Sequence, residues 1–159
     1  MKTSTANGID VMKKLLTSLL VILSTQLHAQ EYELPITQDG KIIYNESDWQ
    51  PAAQSNLFQL SVHKNSLGVR QRIISVYSVT EFHNPAGQKY EMFQDPIYKI
   101  YTFGLLECHD ALFNILNHWY VDKNNKIVYN ETKPAGSYVV DMRANNTPRN
   151  DLYRLVCNK

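Results

Sequence analysis

The sequence predicts an α+β fold, a single domain with an antiparallel β-sheet of about five to six strands and a short C-terminal helix. Aromatic residues, which suit half-buried strands, make up 11% of the chain. Apolar stretches of strand length alternate with clusters rich in Asn, Gly and Pro. Only the last stretch, Pro148 to Cys157, has apolar residues at helical spacing, with Leu152, Leu155 and Val156 on one side.

The strands are predicted from alternating apolar residues. The candidates in chain order are Lys41 to Tyr44, Leu57 to His63, Val69 to Phe82, Ile97 to Cys108, Trp119 to Val121, Ile127 to Tyr129 and Ser137 to Met142. Val69 to Phe82 is apolar on both faces, which predicts that both sides of its middle are covered. Trp49-Gln50-Pro51 is predicted to end an element.

Turn signals separate these candidates. Asp122 to Lys126 predicts a hairpin that pairs the strands on either side of it. Ala111 to Val121 has both helical and strand features, and the hairpin favours a strand. Asn84 to Pro96 is predicted to be a loop. Thr147-Pro148 predicts a capped helix start.

The N-terminal residues resemble an export signal that begins at Met12. Its parts are a basic pair (Lys13, Lys14), an apolar run (Leu15 to Leu23) and a cleavage site (Leu27-His28-Ala29). The run is about half of the roughly twenty residues that a membrane-spanning helix needs. We therefore expect 1–29 to be an upstream extension plus cleaved signal, and 30–159 to be one exported domain without a transmembrane anchor, in the periplasm or on the outer surface of a Gram-negative bacterium.

The two cysteines, Cys108 and Cys157, both lie in the exported part. Because an exported compartment is oxidising, the economical interpretation is one disulfide between them. It would tie the C-terminal helix to a central strand. The alternative is a nucleophilic or metal-binding thiol in Glu107-Cys108-His109-Asp110.

Charge and motifs exclude several function classes. The formal net charge is +1 for the whole chain, and about −1 after 1–29 is removed, which does not favour nucleic-acid binding. The sequence has no Gly-x-Ser-x-Gly elbow, no His-Glu-x-x-His helix and no phosphate-binding glycine loop. We expect no catalytic activity and no cofactor.

Two sets of polar residues are candidate binding sites. Arg70 and Arg72 share one strand face and, with Lys99 on a neighbouring strand, predict a small cationic patch for an acidic partner. A solvated sheet face is the alternative. The second set is the histidines of the exported part, which could ligate a metal ion or haem: His63, His83, His109 and His118. No two of them have the close spacing that is typical of metal ligands, so ordinary surface or partly buried histidines are the alternative.

The second half of the chain resembles the surface-adhesin protein E family. The resemblance covers about Tyr44 to Asn158. It rests on Leu106-Glu107-Cys108, the hairpin from Trp119 to Tyr129, Pro134-Ala135-Gly136-Ser137 and the stretch from Leu152 to Cys157. The resemblance implies a small α+β domain with a disulfide-tethered helix, and an outer-membrane adhesin that binds host matrix proteins and haem.

The chain departs from that family in two respects. Gln30-Glu31-Tyr32 follows the cleavage site, where a lipoprotein would have a cysteine, and the basic host-binding stretch has no match in Glu81 to Lys99. The expected function is therefore a non-catalytic envelope protein that binds a protein partner. The alternative is a periplasmic inhibitor or accessory protein that blocks an envelope enzyme with its Asn84 to Pro96 loop. Exposed sheet edges would allow a homodimer.

Overall fold

The computed structural model describes residues 33–84 and 96–157. The predicted export signal and most of the predicted loop after Asn84 lie outside these residues. The compact unit that carries the fold is Leu34–Lys159. No helix among the described residues is both long enough and apolar enough to span a membrane.

The fold is an antiparallel sheet with one helix packed on it, as the sequence predicts. Its strands are β1 (Trp49–Gln54), β2 (Phe58–His63), β3 (Ile73–Phe82), β4 (Lys99–Glu107), β5 (Leu112–Val121), β6 (Ile127–Thr132) and β7 (Val139–Asp141). Strands β1 to β6 follow one another across the sheet, and β7 pairs with β5 beside β6. The sheet thus has seven strands, slightly more than expected. Helix α1 spans Pro148–Cys157, the predicted bounds.

Several local predictions are settled by the structure. Ala111 to Val121 contains a strand, and the hairpin pairs Tyr120 with Tyr129 as predicted. Trp49-Gln50-Pro51 was wrongly predicted to end an element, because it begins β1. Pro51 is tolerated there because β1 is an edge strand, where a missing backbone donor breaks no second ladder. Lys41 to Tyr44 forms isolated bridges instead of a strand.

One face of the sheet, the helix face, carries the even-numbered residues of β2, β3 and β4. Residues from successive strands lie side by side in rows because the strands pair in register. The rows are Ile74–Leu106–Phe113–Val140, Val76–Gly104–Ile115, Val62–Ser78–Thr102–His118, Leu60–Thr80–Ile100–Tyr120 and Phe58–Phe82. Helix α1 buries Leu152, Tyr153 and Val156 in the same core as the first two rows.

The opposite face, the aromatic face, is covered by the chain segment before β1. Leu34 and Ile42 of this segment are buried, as is Trp49, the first residue of β1. The Trp49 ring contacts the rings of His63, at 5.1 Å between centroids, and Tyr101, at 5.8 Å. Both faces of β3 are therefore covered over its middle, as its sequence predicts.

A disulfide between Cys108 and Cys157 joins the end of α1 to the turn after β4. The Tyr153 hydroxyl adds a second link, because it donates a hydrogen bond to the Cys108 carbonyl oxygen at 3.0 Å. The start of the helix is capped by Thr147, whose Oγ1 accepts a hydrogen bond from the Asn150 amide at 3.2 Å. Helix α1 is thus fixed to the end of the sheet where the rows that begin with Ile74 and Val76 lie.

Replacing both cysteines, Cys108→Ser with Cys157→Ser, should lower the free energy of unfolding. The bridge closes a loop with a sequence separation of 49 residues. On the chain-entropy account this loss amounts to about 4 kcal/mol. Urea unfolding of the oxidised protein and the double variant measures it, with the reduced native protein as the control. Equal midpoints for all three samples would contradict a stabilising bridge.

Candidate functional site

The helix face is covered by α1 over only part of its area. Burial decreases from the row that contains Ile74 to the row that contains Thr80. Ile74 is 2% exposed and Leu106 is fully buried, whereas Thr80 and Ile100 are partly exposed. We call the rows from Ser78 to Phe82, with their neighbours on β2, β4 and β5, the open half. Over the open half the described residues leave a cleft of about 570 Å³.

The cleft has a floor, a back wall and a rim. The open half forms the floor, and the start of α1 with the segment around β7 forms the rim. Its lining residues are Phe58, Leu60, Ser78, Thr80, Phe82, Ile100, Thr102, Phe113, Ile115, His118, Tyr138, Val140, Met142, Ala144, Thr147, Pro148, Arg149 and Leu152. Most are apolar or aromatic, and the volume is within the range of about 300 to 1,000 Å³ that is typical of small-molecule sites.

The back wall depends on Gly104, which lies in the middle of β4. A Cβ atom at this position would be 2.5 Å from the Asn114 carbonyl oxygen and 2.6 Å from the Phe113 ring. The Phe113 ring therefore occupies the space that a side chain would need, which is the usual reason for a glycine inside a strand. The ring closes the cleft on the side of the buried rows.

A polar row crosses the floor of this apolar cleft. Ser78, Thr102 and His118 lie opposite one another on β3, β4 and β5. Thr102 Oγ1 and His118 Nδ1 are 2.9 Å apart, which is hydrogen-bond distance. Ser78 and Thr102 are 4% and 8% exposed. They are among the polar groups that a bound molecule would meet, together with Thr80, Thr147 and Arg149.

His118 reaches the cleft because of a bulge in β5. Gly104 pairs with Ile115 and Phe103 with Asn117, so Leu116 is an extra residue in β5. A bulge moves the following residues to the other side of the sheet. Ile115 and His118 therefore share the helix face, although strict alternation would separate them.

Burial lowers the pKa of His118 below its ordinary value of 6.5. Glu131, opposite His118 on β6, acts against this shift, and Lys133 acts with it. Glu131 and Lys133 are themselves paired at 2.7 Å. His118 is therefore neutral near pH 7, and it acts in the cleft as a hydrogen-bonding group and not as a cation.

Arg149 is the cation at the rim of the cleft. It lies in the first turn of α1, and its residue is exposed. Arg149 belongs to none of the ion pairs within 33–84 and 96–157, and no Asp or Glu is among the lining residues of that part of the chain. Within the described part of the chain, the lining therefore carries one charge, that of Arg149, and Asp151 follows in the same first turn of α1 outside the lining.

The structure does not bring together the predicted cationic patch of Arg70, Arg72 and Lys99. Arg72 precedes β3 and pairs with Glu107 at 2.7 Å, at one end of β4. Lys99, at the other end, contacts Glu81 at 3.4 Å and lies 3.9 Å from the centre of the Tyr44 ring. Nine residues of strand, about 26 Å, separate the two ends. Arg70 is exposed in the same segment before β3, so both arginines lie at the end of the sheet opposite to Lys99.

The other histidines of the described residues are outside the cleft lining, although exposed His83 directly follows the lining residue Phe82. His63 packs against Trp49 on the aromatic face, and the His109 side chain is 80% exposed in the turn after Cys108. Among residues 33–84 and 96–157, no three His, Cys, Asp or Glu side chains form a group that could hold a metal ion. Cys108 is in the disulfide, so it is not the free thiol of the alternative interpretation.

The sequence interpretation missed the polar row and Arg149. A partial signal exists, because Ser78, Thr80 and Thr102 interrupt apolar alternation on strands that are otherwise buried. The register that aligns three strands, and the bulge at Leu116, come from tertiary pairing. No local pattern reveals them.

The half-buried, neutral His118 predicts a pH dependence of stability. Because its pKa is lower in the folded state, the unfolded chain binds the proton first as the pH falls. The free energy of unfolding should therefore decrease from about pH 7 to about pH 5, with a smaller decrease in His118→Asn. His63, whose pKa burial also lowers, accounts for part of the remaining slope.

Urea unfolding at several pH values measures this slope. His109→Asn, in an exposed turn, is the matched control and should keep the slope of the native protein. An identical slope in His118→Asn would show that this imidazole is not held neutral by burial.

Comparison with known proteins gives no match for this chain. No protein-family model matches it, and searches of curated proteins and of solved structures give no significant match. Membership of the surface-adhesin protein E family therefore stays a prediction from the sequence motifs.

Proposed function

We propose that this chain is a non-catalytic binding protein of the bacterial envelope and that it binds its ligand in the cleft. The observation that carries the proposal is the open half of the helix face, an apolar floor crossed by a few polar groups. This combination is typical of ligand sites. A sheet face that served only as a core would be covered by apolar side chains.

The chemistry of the lining residues supports binding over catalysis. Within the described part of the chain, the lining side chains include no carboxylate and no thiol. His118 is the group suited to proton transfer, and its Nδ1 is engaged by Thr102. Its nearest carboxylate across the sheet, Glu131, is held by Lys133. A hydrolytic triad would need, beside a hydroxyl such as that of Thr102, a carboxylate that orients the histidine, and the Glu131 carboxylate is engaged by Lys133 instead.

An envelope location is supported by two features. The N-terminal residues resemble an export signal, with Lys13 and Lys14 before an apolar run. The disulfide between Cys108 and Cys157 is of a kind that persists in oxidising compartments.

Filling the cleft should weaken binding without unfolding the domain. Thr80→Trp places a large side chain on the partly exposed floor, and Ser75→Trp places the same side chain on an exposed position of the same strand, on the other face. We expect the neutral dye N-phenylnaphthylamine to bind the native protein and Ser75→Trp. It should bind Thr80→Trp at least about tenfold more weakly.

Dye fluorescence measures binding, and circular dichroism with thermal unfolding confirms that both variants fold. Equal dye affinity in all three proteins would contradict the cleft as the site. A folded native protein that does not bind the dye would contradict the proposal as well.

A protein partner is the second candidate function, and the outer edge of the sheet favours it. Tyr129 and Tyr138 are 38% and 43% exposed, and Val128 and Val139 are also exposed. Apolar residues on an edge strand are typical of surfaces that contact another protein. A host matrix protein, as in the adhesin, or an envelope enzyme, as in the inhibitor alternative, would be such a partner.

Location on the cell separates these two partners. With an epitope-tagged copy, adhesin-like display predicts that protease added to intact cells removes the tag, because the domain faces outward. Blots of periplasmic and outer-membrane fractions provide the control. Full protection with recovery in the periplasm would contradict surface display and favour the envelope-enzyme partner.

A further inference from the structure

We propose that the ligand of the cleft is an amphipathic acid, a molecule with an extended apolar body and one carboxylate. The apolar body would lie on the open half, and the carboxylate would meet Arg149 at the rim. This inference rests on the proposed function of the cleft and adds the chemical class of its ligand.

The apolar body is inferred from the floor and walls. Phe58, Phe82 and Ile100 line the outer part of the cleft, and Phe113 and Ile115 line its inner part. Phe58, Phe82 and Ile100 are only partly buried, although they lie on strands paired on both sides. Removing apolar surface of this kind from water contributes about 25 cal/mol per Å² to the binding free energy. A polar ligand would not obtain this contribution.

The acidic group is inferred from charge complementarity. Arg149 is the one Arg or Lys among the lining residues in the described part of the chain, and those residues include no Asp or Glu to neutralise it. Two other cations adjoin the cleft and are already paired: Lys133 with Glu131 at 2.7 Å, and Arg143, between the lining residues Met142 and Ala144, with Asp141 at 2.8 Å. A carboxylate is the natural partner of a guanidinium, which can donate two parallel hydrogen bonds to it.

The polar row explains why the ligand is amphipathic and not purely apolar. Thr102 and His118 satisfy each other through Oγ1 and Nδ1 at 2.9 Å. The His118 Nε2 has no hydrogen-bond partner among the described residues, and His118 lines the cleft. A neutral imidazole can donate or accept one further hydrogen bond there, depending on its tautomer. A ligand that carries an oxygen atom can satisfy this nitrogen, whereas a hydrocarbon cannot.

A matched pair of ligands tests the carboxylate. Dodecanoate and dodecanol share the same apolar chain and differ in the acidic group, and both can displace N-phenylnaphthylamine at about pH 8, where the carboxyl group is ionised. The native protein should bind dodecanoate about two- to fivefold more tightly than dodecanol, because an exposed ion pair adds modestly to the binding free energy. Arg149→Gln should remove this preference. Arg154→Gln, an exposed arginine further along α1 and outside the lining, should keep it.

The outcomes distinguish this inference from the function on which it rests. If dodecanoate and dodecanol bind equally to the native protein, or if Arg149→Gln keeps the preference, the acidic ligand is overturned while the cleft stands. If the dye binds but neither dodecanoate nor dodecanol displaces it, the amphipathic ligand class is overturned. If Thr80→Trp binds the dye as tightly as the native protein does, the cleft itself is overturned as the binding site.

Discussion

The cleft exists because one short helix has to cover a large sheet. Helix α1 has ten residues and is about 15 Å long, whereas the ten residues of β3 extend about 30 Å. Six strands side by side are about 24 Å wide. The helix is therefore too short to cover the sheet along the strands or across them, and part of the helix face lies beyond it.

The disulfide decides which part of that face is covered. It holds the last residue of α1 beside Cys108, and the Tyr153 hydroxyl bonds the same turn at 3.0 Å. The buried rows with Ile74 and Leu106 lie at this end of β3 and β4. The first turn of α1, with Arg149, is left to border the cleft. One covalent link thus positions both the core and the rim.

The sequence predicted the elements well because each has a local cause. Alternation marks β2 and β3, the Asp122 to Lys126 turn marks the β5–β6 hairpin, and Thr147-Pro148 marks the start of α1. Alignment between strands has no such local cause. The Arg72 and Lys99 patch was wrongly assembled for this reason, since pairing with Glu107 and Glu81 is a property of register.

The bulge shows the same limit in one strand. Leu112, Ile115, Leu116 and Trp119 have helical spacing because Leu116 adds a residue to the strand and shifts the alternation. The feature that made Ala111 to Val121 ambiguous is thus the one that turns His118 into the cleft. The position of the bulge follows only from the pairing of β5 with β4.

The polar row distinguishes this cleft from an accidental gap in packing. Burying hydroxyl and imidazole groups costs free energy even when they bond one another, and valine or leucine would pack more favourably on a sheet that only needed a core. The sheet has such residues where α1 covers it, at Ile74 and Val76, and polar ones where the cleft begins, at Ser78 and Thr102. Beyond this row the helix face becomes apolar again, at Ile100 and Phe82, which are partly exposed. A buried polar row beside partly exposed apolar residues fits the proposed ligand, because the row offers polar contacts and the outer residues offer apolar ones.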